Sequence, residues 1–365
     1  MHSRSLRIDF VVGFIDKTGG IAVVLEYAHR LGKSGHDVRV YYPLLPYDVY
    51  TAPGPAPRRW AARLRRFAAN FRRRGRGIPW FPGRIDARAV PVISDRFLRD
   101  ADAVIATDWP TAPDVAELSP AKGKKFYLVQ GYETWNGREG EVDATYKLPL
   151  RILVIAPWLD DLMRKRFNRV PEAEIRNGVD LEFFRPPADR RQRPPSILMM
   201  HHIQPLKGIA DGLAVLRRIH QERPQAVIRM FGLYPFPDRD DFISFTRDPS
   251  PEALRDLYQA SDIYFCPSHN EGWHLTPMEA MACGCALVAT EVGCIPALKE
   301  DGNMLVAKPS DLETLYRHLL ALIDDPARLR GIAEKGRATI TRYGWDRAVA
   351  QLEAVLASAA ARTDR

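Results

Sequence analysis

The chain has 365 residues, of which 46% are hydrophobic and 27% charged, and its formal net charge is +8. This length suffices for two domains with ordinary cores, and the composition is that of a globular enzyme and not of a disordered or fibrous protein. No apolar run reaches the roughly 18 residues of a membrane-spanning helix, and no signal-peptide pattern precedes the first strand-like run, so we expect a cytoplasmic protein.

The positive charge is concentrated in one segment. Nine arginines and no acidic residue lie between Arg58 and Arg76, and removing their charge from +8 leaves the rest of the chain at −1. Apolar residues in this segment are spaced 4, 3 and 4 apart, which on a helix forms a single stripe flanked by arginines. The stripe is formed by Trp60, Leu64, Phe67 and Phe71.

Three interpretations of this segment remain open. The pattern is typical of a helix that lies in an anionic membrane surface, here on the inner face of the membrane, or contacts a lipid-linked acceptor. It also fits an ordinary amphipathic helix that packs its stripe on its own sheet. Nucleic-acid binding is the third and least favoured interpretation.

Short apolar runs alternate with helical patterns along the chain, which predicts parallel sheets covered on both faces. In the first half the predicted strands are Leu6–Ile15, His36–Tyr42, Ala103–Thr107, Phe126–Gln130 and Ile152–Ala156. In the second half they are Ile197–His201, Ala226–Phe231, Asp262–Cys266, Ala286–Thr290 and Met304–Ala307.

We therefore predict an α/β protein with two doubly wound, Rossmann-like domains. The first covers residues 1–178 and the second residues 179–345, and a final helix at about 346–365 is expected to pack back on the first domain. In such folds ligands bind at the carboxyl ends of the strands, where helix N-termini offer backbone N–H groups.

The stretch from Ser268 to Gly284 combines these features. It follows a strand, turns at glycine and enters a helix, for which Thr276 is the predicted cap and Pro277 the first helical residue. Glu271 precedes the helix and Glu279 lies in its first turns, so the helix start between them can hold a diphosphate while the carboxylates accept sugar hydroxyls. Taken alone, the two acids could equally be ordinary surface residues.

From Glu271 to Gly284 the chain reads Glu-Gly-Trp-His-Leu-Thr-Pro-Met-Glu-Ala-Met-Ala-Cys-Gly. This closely resembles glycosyltransferase family 4, whose donor site has a Glu-Gly-aromatic-x-Leu-x-x-x-Glu-Ala-Met-Ala-x-Gly frame. The Asn177-Gly178-Val179-Asp180 run, followed by Phe184 and Pro186, resembles the family's interdomain signature. The resemblance implies a GT-B fold, with two Rossmann-like domains facing across a cleft, and a retaining reaction that needs no metal or other cofactor.

The resemblance also implies a role for individual residues. Glu279 is expected to bind the nucleotide ribose and Glu271 the donor sugar, while Lys207 stabilises the leaving diphosphate. The Gly19-Gly20 pair resembles the family's glycine loop. The residues whose backbone is expected to face the diphosphate are Gly272, Trp273, His274 and Leu275.

Two positions depart from the family pattern. His202 stands where the family usually has an arginine, and a protonated imidazole or another base such as Arg176 could compensate for it. Asp108 lies where many relatives have a histidine. It either orients the acceptor or donor or caps a helix at Thr111–Leu118, and the sequence does not choose between these roles.

Other groups that could suggest a metal are interpreted differently. The cysteines at 266, 283, 285 and 294 lack paired Cys-x-x-Cys spacing and are expected to be buried and reduced. Asp160-Asp161 and the acids of Asp238–Asp241 are expected to be surface residues.

The sequence and its family resemblance thus predict transfer of a hexose or deoxyhexose from a nucleoside-diphosphate sugar to an acceptor hydroxyl, and the expected acceptor is a lipid-linked or cell-surface glycan intermediate. The alternatives are a GT-B epimerase or hydrolase that acts on the sugar nucleotide alone, and a non-catalytic scaffold that has kept the fold.

Overall fold

The computed structural model describes residues 4–47, 56–73, 77–134, 138–188, 194–237 and 239–361. The chain divides into two compact units. The first comprises Met1–Arg176 together with Asp346–Arg365, and the second comprises Asn177–Trp345. The chain therefore leaves the first unit, builds the second and returns.

In the first unit, parallel strands alternate with helices along the described chain. Its elements are β1 (Arg7–Val11), α1 (Gly19–Lys33), β2 (Asp37–Pro43), α2 (Ala56–Arg73), β3 (Asp86–Val90), β4 (Ala103–Ala106), α3 (Thr111–Glu117), β5 (Lys124–Val129), α4 (Glu139–Thr145), β6 (Arg151–Val154), α5 (Pro157–Phe167) and β7 (Ala173–Glu174). The sheet order is β3-β2-β1-β4-β5-β6-β7, with each pair parallel.

The second unit has the same plan. Its elements are β8 (Ser196–Met200), α6 (Ile209–Glu222), β9 (Val227–Gly232), β10 (Ile243–Arg247), α7 (Pro251–Gln259), β11 (Ile263–Cys266), α8 (Leu275–Ala282), β12 (Ala286–Thr290), α9 (Ile295–Leu298), β13 (Leu305–Ala307), α10 (Leu312–Asp324) and α11 (Pro326–Ile340). The parallel sheet has the order β10-β9-β8-β11-β12-β13.

The last helix, α12 (Trp345–Ala361), follows α11 without a strand between them. Its side chains from Asp346 onward belong to the first unit, where His36 Nε2 lies 3.4 Å from Glu353 Oε1. The buried residues of this helix recur at helical spacing, so one face packs against the protein. They include Ala348, Val349, Leu352, Leu356 and Ala359.

Central strands are buried along almost their whole length because helices cover both faces of a parallel sheet. β4, β11 and β12 are buried at every residue. None of the described helices is long and apolar enough to cross a membrane.

The predicted strands are present in both sheets, with ends that differ by a few residues. The first apolar run was expected to be extended as far as Ile15, but β1 ends at Val11. Three strands were not predicted, namely β3, β7 and β10. Each of them is an edge strand of its sheet. Edge strands bury less apolar surface, so their sequences carry a weaker pattern.

The glycine of the Asn177-Gly178 signature is explained by a close approach between two chain segments. Val179 N donates to Tyr343 O at 2.9 Å, and Val179 forms a parallel bridge with Gly344. A Cβ on Gly178 would lie 2.5 Å from Trp345 Cα. Only glycine fits here without moving the backbone.

We therefore expect Gly178→Ala to lower the free energy of unfolding by about 1–3 kcal/mol, because it overpacks this crossing. Urea unfolding measures the change. Gly331→Ala is the matched control, since its Cβ would meet nothing within 4 Å inside α11. That control should gain roughly 0.5–1 kcal/mol from the lower entropy cost of alanine, and equal losses in both variants would contradict the steric explanation.

Candidate functional site

The candidate site begins where the sheet order of the second unit reverses. β8 and β11 are neighbours in the sheet although they are far apart in sequence, so the loops that follow them meet at one edge. Leu206 O accepts hydrogen bonds from His269 N at 2.7 Å and Asn270 N at 3.3 Å. The two loops are therefore joined through their backbones.

Lys207 and Glu271 come from these two loops and bind each other. Lys207 Nζ lies 2.8 Å from both carboxylate oxygens of Glu271, and Ser268 Oγ donates to Glu271 Oε1 at 3.0 Å. The side chains are only 17% and 8% exposed. This is a nearly buried ion pair with hydrogen bonds to both carboxylate oxygens.

The environment of Glu271 strongly favours its ionised form. Burial alone would raise the pKa of Glu271, but His274 and Lys207 outweigh it and lower the pKa to about 2. His274 Nδ1 lies 3.4 Å from Glu271 Oε1. Behind the carboxylate, a Cβ on Gly293 would lie 2.7 Å from Glu271 Cβ, so this side chain is held closely from both sides.

Lys207 is positioned by a tight turn. It ends the 3-10 helix Pro205–Lys207, and Gly208 follows in the left-handed conformation with φ of 63°. A Cβ on Gly208 would overlap the carbonyl of Pro267, which precedes the Glu271 loop. Glycine is therefore required both for the turn and for the approach of the two loops.

Glu279 lies on α8, one turn beyond its start. Tyr258 Oη donates to Glu279 Oε2 at 2.8 Å. Burial raises the pKa of Glu279 to about 7, with the Tyr258 hydrogen bond acting in the opposite direction. The carboxyl group thus changes its protonation state near neutral pH.

The start of α8 differs by a residue or two from the prediction. Its first residue is Leu275 and its cap is His274, so Thr276 and Pro277 are the second and third helical residues. Pro277 is tolerated there because N–H groups in the first helical turn have no intrahelical acceptor. Trp273 precedes the helix, and its indole nitrogen lies 3.1 Å from Met278 Sδ.

Gly272, Trp273, His274 and Leu275 therefore form the approach to a helix N-terminus, as their expected role requires. Their contact with a diphosphate stays a prediction. Trp273 and His274 are 6% and 7% exposed.

His202 is placed near Lys207 but does not supply a charge. Burial and the nearby Lys207 ammonium lower the pKa of His202 to about 4, so the ring is neutral at pH 7. His202 Nδ1 accepts a hydrogen bond from Gln204 N at 3.0 Å, which places the remaining ring proton on Nε2. The neutral ring adds no positive charge to the site without a ligand, and the replacement of the family arginine by a protonated His202 stays a prediction.

Arg176, the other suggested replacement, belongs to the first unit. Its Nε lies 2.5 Å from Glu174 Oε1. Arg176 is therefore already engaged with a carboxylate of its own unit.

In the first unit, Asp108 lies at the corresponding reversal of sheet order, between β1 and β4. Asp108 Oδ2 accepts a hydrogen bond from Gly13 N at 3.2 Å. Of the two roles left open for Asp108, the structure does not support the helix cap. α3 begins at Thr111 with Pro110 at the cap position, no side-chain hydrogen bond caps this start, and the helix ends at Glu117.

Gly19 and Gly20 form the first turn of α1, which is capped by Thr18. A Cβ on Gly20 would lie 3.5 Å from the amide of Gln130, which itself donates to Thr107 O at 3.0 Å. The glycine pair thus brings the start of α1 close to the loop after β5.

Glu133 is a half-buried acid that the sequence analysis missed. Its Oε2 accepts a hydrogen bond from Trp109 N at 3.2 Å, and burial together with the charge of Asp108 raises the pKa of Glu133 to about 8. The signal was available, because Glu133 follows β5 as Asp108 follows β4, and the carboxyl ends of neighbouring parallel strands share one sheet edge.

The other acids of interest form surface ion pairs. Asp160 pairs with Arg164, and Asp161 Oδ2 lies 2.7 Å from Lys165 Nζ. Asp240 pairs with Arg217, whereas Asp238 lies outside the described residues. Within the described ranges no group of three or more His, Cys, Asp or Glu could hold a metal ion, and the four cysteines are buried thiols that form no disulfide.

A family model supports an assignment of the second unit. Residues 180–339 match the model described as Glycosyl transferases group 1. Lys207, Glu271 and Glu279 therefore lie within the region that matches this model.

Curated relatives match about half of the chain. It is 31% identical over 231 residues to D-inositol 3-phosphate glycosyltransferase of Streptomyces bingchenggensis. This match covers 55% of this chain and 50% of that protein. It is 29% identical to MMP alpha-(1->4)-mannosyltransferase of Mycolicibacterium hassiacum, over 51% of this chain and 48% of that protein. The chain spans about half the length of these relatives.

Solved structures match nearly the whole chain. Sucrose-phosphate synthase from Thermosynechococcus elongatus superposes with a TM-score of 0.72 at 16% identity, covering 96% of this chain and 98% of that one. HepE from Anabaena, in complex with UDP and glucose, superposes with a TM-score of 0.73 at 15% identity, covering 97% of this chain and 100% of that one. This likeness concerns the fold, and it confirms the predicted α/β class with two Rossmann-like domains of the GT-B type.

The low pKa of Glu271 predicts a specific acid sensitivity. A carboxylate whose folded-state pKa is lowered stabilises the fold above its ordinary pKa of 4.5, and this contribution is lost as the pH falls toward 2. Between about pH 7 and about pH 4, wild type should lose roughly 1 kcal/mol more unfolding free energy than Glu271→Gln.

Urea unfolding at the two pH values measures this difference. Glu334→Gln, an exposed substitution on α11, is the matched control and should keep the wild-type pH dependence. If Glu271→Gln also kept it, the ion pair would not hold Glu271 in its ionised form.

Proposed function

We propose that the chain is a sugar-nucleotide-dependent glycosyltransferase of family 4 type, with its donor site in the second unit. The observation that carries the proposal is the Lys207–Glu271 pair beside the N-terminal end of α8, which also bears Glu279. A cation, two carboxylates and a helix N-terminus at one sheet edge are what a nucleoside-diphosphate sugar requires. The match of this region to the group 1 model supports the same assignment.

The donor would be held by complementary charges. The diphosphate would lie against the N-terminal turn of α8, where the helix dipole and backbone N–H groups favour an anion. Lys207 would stabilise the charge that develops as the glycosidic bond to the diphosphate breaks. Because its ammonium group has three N–H donors, Lys207 can contact a phosphate oxygen while it still contacts Glu271.

The two carboxylates would bind the two sugars of the donor. Glu271, fixed by Lys207 and Ser268, would accept hydrogen bonds from hydroxyls of the transferred sugar. Glu279 would accept hydrogen bonds from the ribose hydroxyls, in competition with its contact to Tyr258. Both carboxylates are mostly buried, so their hydrogen bonds to a ligand meet little competition from water.

The reaction is proposed to retain anomeric configuration and to need no divalent metal. Lys207 and the start of α8 supply positive charge of the kind that a metal would supply to a leaving diphosphate. A hexose or deoxyhexose is the proposed sugar, which agrees with the mannosyltransferase relative and with the UDP and glucose of the HepE structure.

The acceptor is proposed to bind through the first unit, with Asp108 orienting its hydroxyl group. The support is the position of Asp108 at the sheet reversal and the nearby half-buried acid Glu133, whose pKa the charge of Asp108 helps to raise. A lipid-linked or surface glycan intermediate is the proposed acceptor class, and the cytoplasmic location stays a prediction.

Substitutions at the donor site test the proposal. Across a panel of nucleoside-diphosphate sugars, we expect saturable calorimetric binding of one donor, and Glu279→Gln should weaken it by about tenfold to a hundredfold because a charge-assisted hydrogen bond is lost. Lys207→Ala should reduce nucleotide release by roughly a hundredfold or more.

Two surface substitutions serve as controls, since Glu334→Gln and Lys308→Ala change the same residue types at exposed positions of the same unit. Binding of no donor, or unchanged binding in Glu279→Gln, would show that the donor-site assignment is wrong. Turnover without acceptor would favour an epimerase or hydrolase, and binding without turnover across an acceptor panel would favour a scaffold.

The pKa of Glu279 near 7 gives the proposed donor site a pH dependence. The ionised carboxylate accepts hydrogen bonds from both ribose hydroxyls, whereas the protonated group loses one acceptor. Donor affinity should therefore fall by up to about tenfold between about pH 8 and about pH 6. The substituted diphosphate of a nucleotide sugar does not titrate in this range.

Calorimetric titration of the donor at several pH values makes the measurement, with Glu279→Gln as the variant that should show a flat profile. An affinity that rises as the pH falls would mean that protonated Glu279 binds the donor. A slope that persists in Glu279→Gln would assign the titration to another group.

A further inference from the structure

Helix α2 presents its apolar stripe to solvent and not to the sheet. Trp60, Leu64 and Phe71 are 55%, 59% and 54% exposed, and Phe67 is 38% exposed. The rings of Phe67 and Phe71 stack with centroids 6.3 Å apart. The interpretation of this segment as a helix that packs its stripe on its own sheet is therefore wrong.

A different face of α2 attaches the helix to the protein. Asn70 is buried, and its side-chain amide donates to Pro43 O at 3.3 Å and Leu44 O at 3.2 Å, at the end of β2. On a helical wheel Asn70 lies about 100° from the centre of the stripe. The helix is thus fixed by one face while the stripe remains on an outer face.

Arginines lie on both sides of the stripe. Arg58, Arg65 and Arg72 are exposed and recur every seven residues, which places them in one row about 110–150° from the centre of the stripe. On the other flank, the Arg63 guanidinium lies 5.0 Å from the centroid of the Trp60 ring. The sequence from Ala56 to Arg73 contains no acidic residue.

The apolar centre and its flanking arginines distinguish between three partners that could cover the stripe: a second copy of the helix, a nucleic acid and an anionic bilayer. A second copy of the helix would bring arginines against arginines without an acid to pair them. A nucleic acid would be met by basic residues at the centre of the contact, whereas here the centre is apolar and includes Leu64, which offers no ring for stacking. An anionic bilayer accepts both parts, because apolar side chains enter the acyl boundary while arginines reach the lipid phosphates.

We propose that α2 docks the protein on an anionic membrane surface, with its axis parallel to the bilayer and Trp60, Leu64, Phe67 and Phe71 inserted below the headgroups. The exposed arginines bind lipid phosphates beside the stripe. The attachment concerns a partner of the whole chain, and it does not depend on whether the donor site is active.

Co-sedimentation of the full chain with vesicles tests the docking. Wild type should bind phosphatidylcholine–phosphatidylglycerol vesicles at least about tenfold more tightly than pure phosphatidylcholine vesicles, and added salt should weaken the binding. Replacing Trp60, Leu64, Phe67 and Phe71 together with alanine should reduce the binding about tenfold or more. Unfolding curves confirm that this variant remains folded, as its exposed positions predict.

Two further variants separate insertion from charge attraction. Arg58→Gln combined with Arg65→Gln and Arg72→Gln should reduce both the affinity and its salt dependence. Val92→Ala combined with Val170→Ala, at exposed apolar positions outside α2, should leave binding unchanged. Tryptophan fluorescence should be quenched by lipids with brominated chains in wild type, and the quenching should be largely lost in Trp60→Phe.

Several outcomes would overturn the proposal. Vesicle binding that survives the fourfold alanine substitution would leave charge attraction without insertion. Tighter binding to an oligonucleotide than to vesicles would assign the surface to nucleic acid, and self-association abolished by the same substitution would assign it to a second copy. Loss of vesicle binding in a folded Lys207→Ala variant would contradict the independence of the docking from the donor site.

Discussion

A carboxylate that is shielded from water stays ionised only when positive charge lies beside it, and the Lys207–Glu271 pair that meets this condition joins the two loops on which the candidate donor site is built. Glu271 and Lys207 are 64 residues apart, and their contact is possible because β8 and β11 are neighbouring parallel strands. The backbone bonds to Leu206 and the glycines at 208 and 293 keep the loops close enough for the pair to form. The local charge balance therefore depends on the strand order of the whole sheet.

The two carboxylates of the candidate site have opposite proton affinities although both are shielded from water. Glu271 has His274 and Lys207 beside it and stays ionised, whereas Glu279, which accepts a hydrogen bond from the Tyr258 hydroxyl, titrates near neutrality. In the first unit, burial and the nearby charge of Asp108 together raise the pKa of Glu133. Burial raises the pKa of all three acids, and it is outweighed at Glu271 because positive groups lie beside that carboxylate.

Sequence patterns predicted the central strands of the two sheets better than their edge strands. Central strands such as Ala286–Thr290 are continuous apolar runs and were located to the residue, whereas the edge strands β3 and β10 are partly exposed and were missed. The spacing of the motif predicted that Glu271 and Glu279 lie at the start of one helix. The family resemblance predicted that Lys207 belongs to the same site. The neutral state of His202 depends on three-dimensional neighbours and could not be inferred from spacing.

The return of the chain to the first unit has a consequence for biogenesis. Residues 177–345 form a contiguous unit that has all its strands available once they leave the ribosome, whereas the first unit is completed only by α12. During synthesis the whole second unit is therefore made before α12, so Leu352 and Leu356 are among the last buried side chains to reach the core of the first unit. The nascent first unit is thus the part of this protein most exposed to aggregation and to capture by chaperones.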